Sequence, residues 1–175
     1  MPVAPLRVSP QAIPSKQVFY QDRTVVSAAV NPEPASDLLI EHSHPTLRLD
    51  EAALQHLVRC VLHAEARSVA YLGIVLADHA TVLDLNRIYL AHDYLTDVLA
   101  FSLADDPGAA IDGEVYVDLD TAAERHEDFG VSFEDEARRY VVHGLLHLLG
   151  YDDATPAQRQ AMRRLEDRYL ATCLP

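Results

Sequence analysis

The stretch HGLLHLLGYDD, residues 143–153, carries two histidines four residues apart in a Leu-rich run, followed by Gly150 and two aspartates. Residues four apart lie on one face of an α-helix, about 6 Å from each other, so His143 and His147 can point at one ion. The apolar residues around them predict a helix packed against a core. On this spacing alone, two core or surface histidines are as good an interpretation as a metal site.

The residues after this helix favour the metal site. Gly150 can adopt the left-handed conformation that ends a helix and reverses the chain. Asp153 follows six residues after His147, the offset at which the metzincin pattern HExxHxxGxxH returns its third ligand to the metal. Aspartate is an accepted zinc ligand, although the dipole of a following helix also favours it there. The histidines, the turn and Asp153 together predict a metal site.

Gly144 limits the chemistry that such a metal can perform. It occupies the position at which HExxH proteases carry their general base, and glycine has no side chain. Three protein ligands leave one position on the ion open, the arrangement of catalytic rather than structural zinc. These residues predict a metal-assisted hydrolase without the usual protease base. A peptide hydrolase is therefore the least favoured alternative.

The rest of the chain predicts one α+β or mixed-sheet domain with its late helices clustered. Apolar, β-rich segments predict strands at residues 37–44, 68–78, 97–103 and 113–119. Helical periodicity and capping residues such as Asp50 and Thr155 predict the helices. The predicted helices cover residues 49–66, 79–90, 121–130, 132–150 and 155–173.

Residues 1–36 hold six of the ten prolines and little periodicity, which predicts a mobile N-terminal extension to a domain spanning 37–175. An added strand at 16–20 or 24–30 is the structured alternative. We find no apolar run of membrane-spanning length and no apolar signal segment. Cys60 and Cys173 lie far apart and form no CxxC pair, so we expect no disulfide framework and a reducing, cytoplasmic location.

The formal charge of −13 is uneven along the chain, and its sign argues against a nonspecific nucleic-acid coat protein. Residues 102–136 hold twelve acidic residues against one arginine, Arg125. Four arginines lie beyond Ala154, at positions 159, 163, 164 and 168. A polyanion is therefore expected to meet the last helix and to avoid the acidic segment. A solvated helix face of mixed charge explains those four arginines equally well.

Three blocks of this sequence resemble the YbeY family, metal-dependent endoribonucleases of ribosomal RNA maturation. HGLLHLLGYDD resembles the family signature HGxLHLxGYDH. LNRIYLAHDYLTDVLAFS, residues 85–102, resembles a second block, and GEVYVDL, residues 113–119, resembles a Gly-Asp-Ile strand. The order and spacing of the blocks fit from about residue 37 to residue 170, and residues 1–36 lie outside the match.

The resemblance implies a zincin-like α+β single domain, with a small mixed β-sheet packed with helices and a metal site on a C-terminal helix and the following turn. It implies one Zn²⁺ held by His143, His147 and Asp153, and a cleft beside the metal shaped by Thr96 and Asp97. The implied activity is cleavage of single-stranded RNA in small-subunit ribosomal RNA maturation and ribosome quality control, in the bacterial cytoplasm. The implied partners are single-stranded RNA, ribosomal RNA and the small ribosomal subunit, with no DNA and no membrane.

Asp153 departs from the family's pattern, which has a histidine at this position. A carboxylate in place of an imidazole removes one positive charge from the site, so the bound water is less acidified. A harder metal such as Mn²⁺ or Fe²⁺ is then a better candidate than it would be with three imidazoles. Asp153 therefore supports a bound metal and weakens the expectation of activity.

Two further departures lie in the second block. Leu90 stands where the family has a basic residue that acts on the phosphate, and Ala100 replaces a serine. Arg87, one turn before Leu90, is a candidate substitute for the missing cation. Asn86 and Tyr89 match the family, with helix packing as an equal explanation. The departures favour one main alternative, a non-catalytic ribosome- or RNA-associated factor that keeps the metal-binding fold.

Overall fold

The computed structural model describes residues 6–7, 37–104, 106 and 108–174, with only the backbone described for the first pair. The strands are β1 (Leu6–Arg7), β2 (Leu38–His42), β3 (Val69–Ala77), β4 (Val98–Ser102) and β5 (Ile111–Asp118). The helices are α1 (Glu51–Ala64), α2 (His79–Leu90), α3 (Leu119–Phe129), α4 (Phe133–Leu148) and α5 (Pro156–Thr172). All four predicted strands and all five predicted helices are confirmed, each within two residues of its expected ends.

The strands form one mixed sheet in the order β1-β4-β5-β3-β2. Strands β2, β3 and β5 run parallel, and β4 runs antiparallel to β5. The carboxyl end of β5 therefore lies beside the amino end of β4. There the N–H of Asp118 donates to the carbonyl of Asp97 at 2.9 Å. This edge of the sheet carries the cleft described below, and the predicted α+β fold with a small mixed sheet is confirmed.

The two faces of the sheet pack against different helices. The main core lies between one face and helices α1, α4 and α5, and α3 adds Leu119 and Ala122 to it. Every second residue along the strands points to the other face of the sheet, where Val82 of α2 packs on Leu99 and Phe101. Helix α4, which carries the two histidines predicted to bind the metal, thus lies in the interior between the sheet and α5.

Helix α4 lies close to the sheet at Gly144. A Cβ atom there would lie 2.4 Å from Cγ1 of Val115 and 2.8 Å from Cγ2 of Val98. Both distances are far below van der Waals contact, and interiors packed at crystal density have no space to absorb the overlap. Glycine at this position is therefore required by the packing of α4 on β4 and β5.

Cys60 of α1 and Cys173 at the end of α5 form a disulfide, with 5.7 Å between their Cα atoms. The prediction of no disulfide framework was wrong, because the fold brings α1 and α5 together although 113 residues separate the two cysteines. Disulfides are rare in reducing compartments, so the cysteines no longer support a cytoplasmic location.

Reduction of this disulfide is expected to lower the free energy of unfolding by roughly 2–4 kcal/mol, since closing a long loop restricts the unfolded chain. Denaturant unfolding with and without a thiol reductant measures the difference. Cys60→Ser should match the reduced wild type and should not respond to the reductant. Equal stability of the wild type in both conditions would contradict the bond.

Part of the extension lies outside the described residues, including the two stretches, 16–20 and 24–30, in which an added strand is predicted. The structure pairs two other residues of the extension with the sheet, since Leu6 lies opposite Phe101. The mobility of the extension and the domain boundary at residue 37 stay predictions. No helix in the described part of the chain is long and apolar enough to cross a membrane.

Candidate metal centre

Helix α4 ends at the turn predicted from Gly150. Gly150 adopts a φ of +95°, in the left-handed region. The N–H groups of Gly150 and Tyr151 donate to the carbonyls of His147 and Leu146, each at 3.0 Å. These bonds satisfy the last carbonyls of the helix and reverse the chain. The reversal returns Asp153 to the face of the helix that carries the histidines.

The side chains of His143, His147 and Asp153 converge on one point. The two Nε2 atoms are 3.0 Å apart. Oδ2 of Asp153 lies 4.0 Å from Nε2 of His143, and its Oδ1 lies 4.0 Å from Nε2 of His147. One possible ligand atom from each residue lies within 4.8 Å of the others. The structure thus brings together the three metal ligands predicted from the sequence.

The Nδ1 atom of each imidazole ring is held by an acceptor outside this cluster. Nδ1 of His143 lies 2.7 Å from Oε1 of Glu166, and Nδ1 of His147 lies 3.1 Å from the carbonyl oxygen of Tyr151. Carboxylates and carbonyls accept, so each Nδ1 carries the hydrogen and each neutral ring presents an Nε2 lone pair to the cluster. A metal ion bound between the two Nε2 atoms, or a proton shared by them, accounts for their separation of 3.0 Å. Such outer partners are typical of metal-binding histidines.

Asp153 contributes a buried oxygen without a partner. Its Oδ1 is shielded from solvent and accepts no hydrogen bond from the described residues. A buried carboxylate oxygen with no donor or cation is costly. Arg159 holds the turn in place, since its Nη1 donates to the carbonyls of Asp153 and Ala154 at 3.1 and 2.9 Å. The two imidazoles and this carboxylate therefore fit a divalent ion.

The charges around the histidines move their pKa values in opposite directions. Burial lowers the pKa of His143, but the hydrogen bond and charge of Glu166, with the carboxylates of Asp97 and Asp153, outweigh burial and raise it. Burial and the neighbouring His143 lower the pKa of His147. Burial raises the pKa of Glu166, but its hydrogen bonds from His143 and a nearby guanidinium outweigh burial and lower it. Glu166 therefore stays charged beside the imidazole that it orients.

Two cavities open beside the cluster. One, of about 320 Å³, lies among α3, α4 and α5, and the other, of about 520 Å³, lies between α3 and the loop before β4. Both volumes suit a small ligand or part of a polymer. Thr96 and Asp97 line the second cavity, so the structure brings these two predicted cleft residues to the metal ligands. Four residues line both cavities and form the junction between them: Asp97, Arg125, His143 and Asp153.

A buried asparagine holds the loop that carries Thr96 and Asp97. Asn86 is 1% exposed, and its Nδ2 donates to the carbonyl of Tyr94 at 2.8 Å. Within the loop, Oδ1 of Asp97 accepts from the Thr96 hydroxyl at 3.2 Å and from the Val98 N–H at 3.0 Å. The Asp97 carboxylate therefore has a fixed direction. Asn86 positions this loop in addition to packing helix α2.

The other two departures from the family pattern lie away from the cavities. Ala100 is a core residue of β4, 3% exposed, and Leu90, the last residue of α2, packs against the apolar cluster on the opposite face of the sheet. Arg87 is paired with Asp93 at 2.7 Å and with Asp84 at 3.4 Å. None of Ala100, Leu90 and Arg87 lines either cavity. Arg87 therefore does not supply the missing cation.

A second group of possible metal ligands, His79, Asp118 and Asp120, is already hydrogen-bonded. Asp118 accepts from the N–H and the hydroxyl of Thr121 at 3.1 and 3.0 Å, and Nδ1 of His79 lies 2.6 Å from it. Asp120 accepts from the N–H of His79 at 3.0 Å, and Nε2 of His44 lies 3.0 Å from it. We assign this group a structural role, joining α2 to the start of α3.

Sequence reasoning missed Glu166 as a partner of the site. It lies 23 residues after His143, on a different helix, and is 7% exposed. In the sequence, Glu166 is visible only as an acidic residue within the arginine-rich last helix, and nothing links it to His143. Arg139 also binds this carboxylate, at 3.2 Å, and binds Asp167 at 2.7 Å. This network fixes α5 against α4 beside the metal ligands.

Comparison with known proteins assigns the chain to a family. The family model for endoribonuclease YbeY matches residues 39–173. A Salinibacter ruber protein named endoribonuclease YbeY is 56% identical over 151 residues, which cover 82% of this chain and 96% of that protein. A protein of the same name from Chlorobaculum tepidum is 39% identical over 122 residues, covering 70% and 88% respectively.

A solved structure supports the same assignment. The solution structure of a Thermotoga maritima protein matches with a TM-score of 0.54 and 25% sequence identity, over 75% of this chain and 87% of that one. The family match spans the second block, both histidines, the turn and the whole of α5. The resemblance inferred from three sequence blocks is confirmed, and the chain belongs to the endoribonuclease YbeY family of hydrolases.

Proposed function

We propose that this chain is a metal-dependent endoribonuclease that cleaves single-stranded RNA. The observation that carries the proposal is the convergence of His143, His147 and Asp153 at the junction of two cavities. The names of the similar proteins from Salinibacter ruber and Chlorobaculum tepidum support RNA cleavage as the reaction. Gly144 stands where HExxH peptidases carry the glutamate that acts as general base, which argues against a peptide substrate.

Features of the cavities support a single-stranded substrate. Arg159 and Arg163 line the smaller cavity and offer positive charge to a phosphate backbone. Tyr94, 41% exposed, lines the larger cavity, and its ring stacks on that of His92 with 5.0 Å between centroids. Exposed aromatic rings are platforms on which unpaired bases stack. A strand with splayed bases can use both features, whereas a duplex hides its bases.

We propose one divalent ion, Zn²⁺ with Mn²⁺ or Fe²⁺ as the alternatives, held by His143, His147 and Asp153. When bound, the ion supplies Lewis-acid activation of water and neutralises charge on the phosphodiester. Glu166 and the Tyr151 carbonyl hold the two imidazoles in the orientation that binding requires. Thr96 and Asp97 shape the wall of the cleft beside the ion.

The proposed biological role is small-subunit ribosomal RNA maturation and ribosome quality control, with the small ribosomal subunit as partner and neither DNA nor membrane. We place the protein in the cytoplasm, where its ribosomal substrate lies. This location rests on the substrate alone, since the disulfide removes the argument from thiols. A net charge of −13 disfavours coating of RNA, so contact with the substrate is expected to be local to the cleft.

Wild-type protein loaded with Zn²⁺, Mn²⁺ or Fe²⁺ is expected to cut a single-stranded RNA at internal positions. The same RNA in a duplex, and a DNA strand of the same sequence, should stay intact. His147→Ala is expected to slow cleavage by on the order of a thousandfold, because the bound ion supplies several kcal/mol of transition-state stabilisation. Single-turnover cleavage resolved on denaturing gels measures both effects.

His56→Ala is the matched control, because this histidine is exposed on α1 and lines neither cavity. It should cleave at the wild-type rate. RNA left intact by the wild type with all three metals would replace the proposal by the non-catalytic RNA-associated factor. Equal cleavage by wild type and His147→Ala would place the active site elsewhere. Faster cutting of precursor small-subunit RNA than of unrelated RNA would support the ribosomal role.

A further inference from the structure

We propose that Arg125 binds the RNA phosphate at the junction of the two cavities. This inference rests on the proposed function and names the group that holds its substrate. Arg125 is the one arginine in the acidic segment 102–136. The fold places that single cation beside the metal ligands.

One side chain at the junction of the two cavities is a permanent cation. Four residues line both cavities, and Arg125 is the only arginine or lysine among them. Two others, Asp97 and Asp153, are carboxylates that repel a phosphate at close range. A guanidinium presents a planar fork of donors that binds two phosphate oxygens and steadies developing charge. Arg125 is thus the one side chain at the junction with a permanent positive charge and a fork of donors.

The side chain of Arg125 is free to make this contact. It is exposed on α3, and within the described residues it forms no ion pair. Its Cζ atom lies 5.5 Å from the centroid of the Phe129 ring, one turn further along the same helix. Stacking on an aromatic face holds a guanidinium in one region without using its donors. The N–H groups of Arg125 therefore remain available for a ligand.

Other arginines near the site are less suited to this role. Arg87 is paired with two aspartates and lines neither cavity. Arg139 is bound to Glu166 and Asp167. Arg159 donates to two backbone carbonyls of the turn that carries Asp153.

Arg163, the remaining candidate, lines only the smaller cavity. It can contact the strand on one side of the metal ligands but not at the junction itself. We therefore assign the phosphate next to the metal ligands to Arg125 and a more distant backbone contact to the last helix.

RNA binding by metal-free protein tests the assignment without relying on catalysis. A short fluorescent single-stranded RNA is titrated at several salt concentrations in the presence of a chelator, and binding is followed by anisotropy. Arg125→Gln is expected to weaken binding about three- to tenfold and to reduce the slope of log K against log salt by about 0.7, the loss of one phosphate contact. Arg125→Lys keeps the charge and should keep the wild-type slope.

Arg59→Gln is the control for the change in net charge, because Arg59 is exposed on α1 and lines neither cavity. It should bind RNA with the wild-type affinity and slope. If Arg125→Gln and Arg59→Gln behave alike, the assignment is overturned. The same holds if Arg163→Gln lowers the slope and Arg125→Gln does not.

Cleavage by the metal-loaded protein separates this inference from the proposed function. Arg125→Gln is expected to lower kcat/KM about a hundredfold, and Arg125→Lys less, because one preorganised donor to the phosphate is lost. A wild type that cuts RNA, with Arg125→Gln equal to Arg59→Gln in every assay, overturns only the role of Arg125. A wild type that leaves RNA intact while Arg125→Gln still loses affinity and slope overturns only the proposed cleavage.

Discussion

His143→Ala is expected to reduce the divalent metal bound to the purified protein from about one equivalent per chain to nearly none. The reason is geometric, since the Nε2 atoms of His143 and His147 and the unpartnered Oδ1 of Asp153 face one another. Removing one of three ligands leaves too few to hold an ion against dialysis. Elemental analysis after loading with Zn²⁺, Mn²⁺ or Fe²⁺ and exhaustive dialysis measures the content.

His79→Ala is the matched control for this loss. Its imidazole belongs to the second group of possible ligands, which is already hydrogen-bonded and to which we assign a structural role. Its metal content should equal that of the wild type. If His79→Ala loses the ion and His143→Ala keeps it, the second group is the metal site and the assignment to His143, His147 and Asp153 is wrong. Asp153→His restores three imidazoles and is expected to raise the preference for Zn²⁺ over Mn²⁺.

Gly144→Ala is expected to destabilise the protein by about 3 kcal/mol, the upper end of the usual range for overpacking a core. The added methyl group would overlap side-chain atoms of Val98 and Val115 on a rigid sheet. Gly144→Glu, which would recreate the HExxH sequence, is expected to lose roughly 5 kcal/mol because it also buries a charge. That loss approaches the whole stability of a domain, so the variant should not fold.

Denaturant unfolding of Gly144→Ala measures the first of these values. Gly108→Ala is a suitable control, because among the described residues the atom nearest to a Cβ there would be Oδ1 of Asp106, at 3.5 Å. It should change the free energy of unfolding by less than about 0.5 kcal/mol. If Gly144→Ala is as stable as the control, helix α4 does not lie against the sheet as described.

Local chemistry explains how much of the fold could be predicted. Asp50 and Thr155 cap the first and last helices through their own side chains, and Gly150 ends α4 with a left-handed turn. These signals act between residues a few positions apart, so the sequence contains them directly. The convergence of His143, His147 and Asp153 could be predicted for the same reason, since one helix and one turn set their relative positions.

Contacts between distant segments could not be predicted in this way. Glu166 reaches His143 from another helix, and Cys60 meets Cys173 only after the helices have packed together. The position of Arg125 at the junction depends on how α3 packs against α4. The spacing of residues along the sequence does not predict that packing. The isolation of Arg125 in an acidic segment marks it as unusual, but only the folded chain shows what lies beside it.

The disulfide between Cys60 and Cys173 also constrains local unfolding. Helix ends open and close in the native state more readily than the core, at a fraction of the cost of global unfolding. The bond ties the end of α5 to a residue in α1, so that end cannot detach from the domain unless α1 moves with it. Glu166 lies about two helical turns before Cys173. Slow hydrogen exchange should therefore extend through the last turns of α5, which keeps the carboxylate that orients His143 in place during native-state fluctuations.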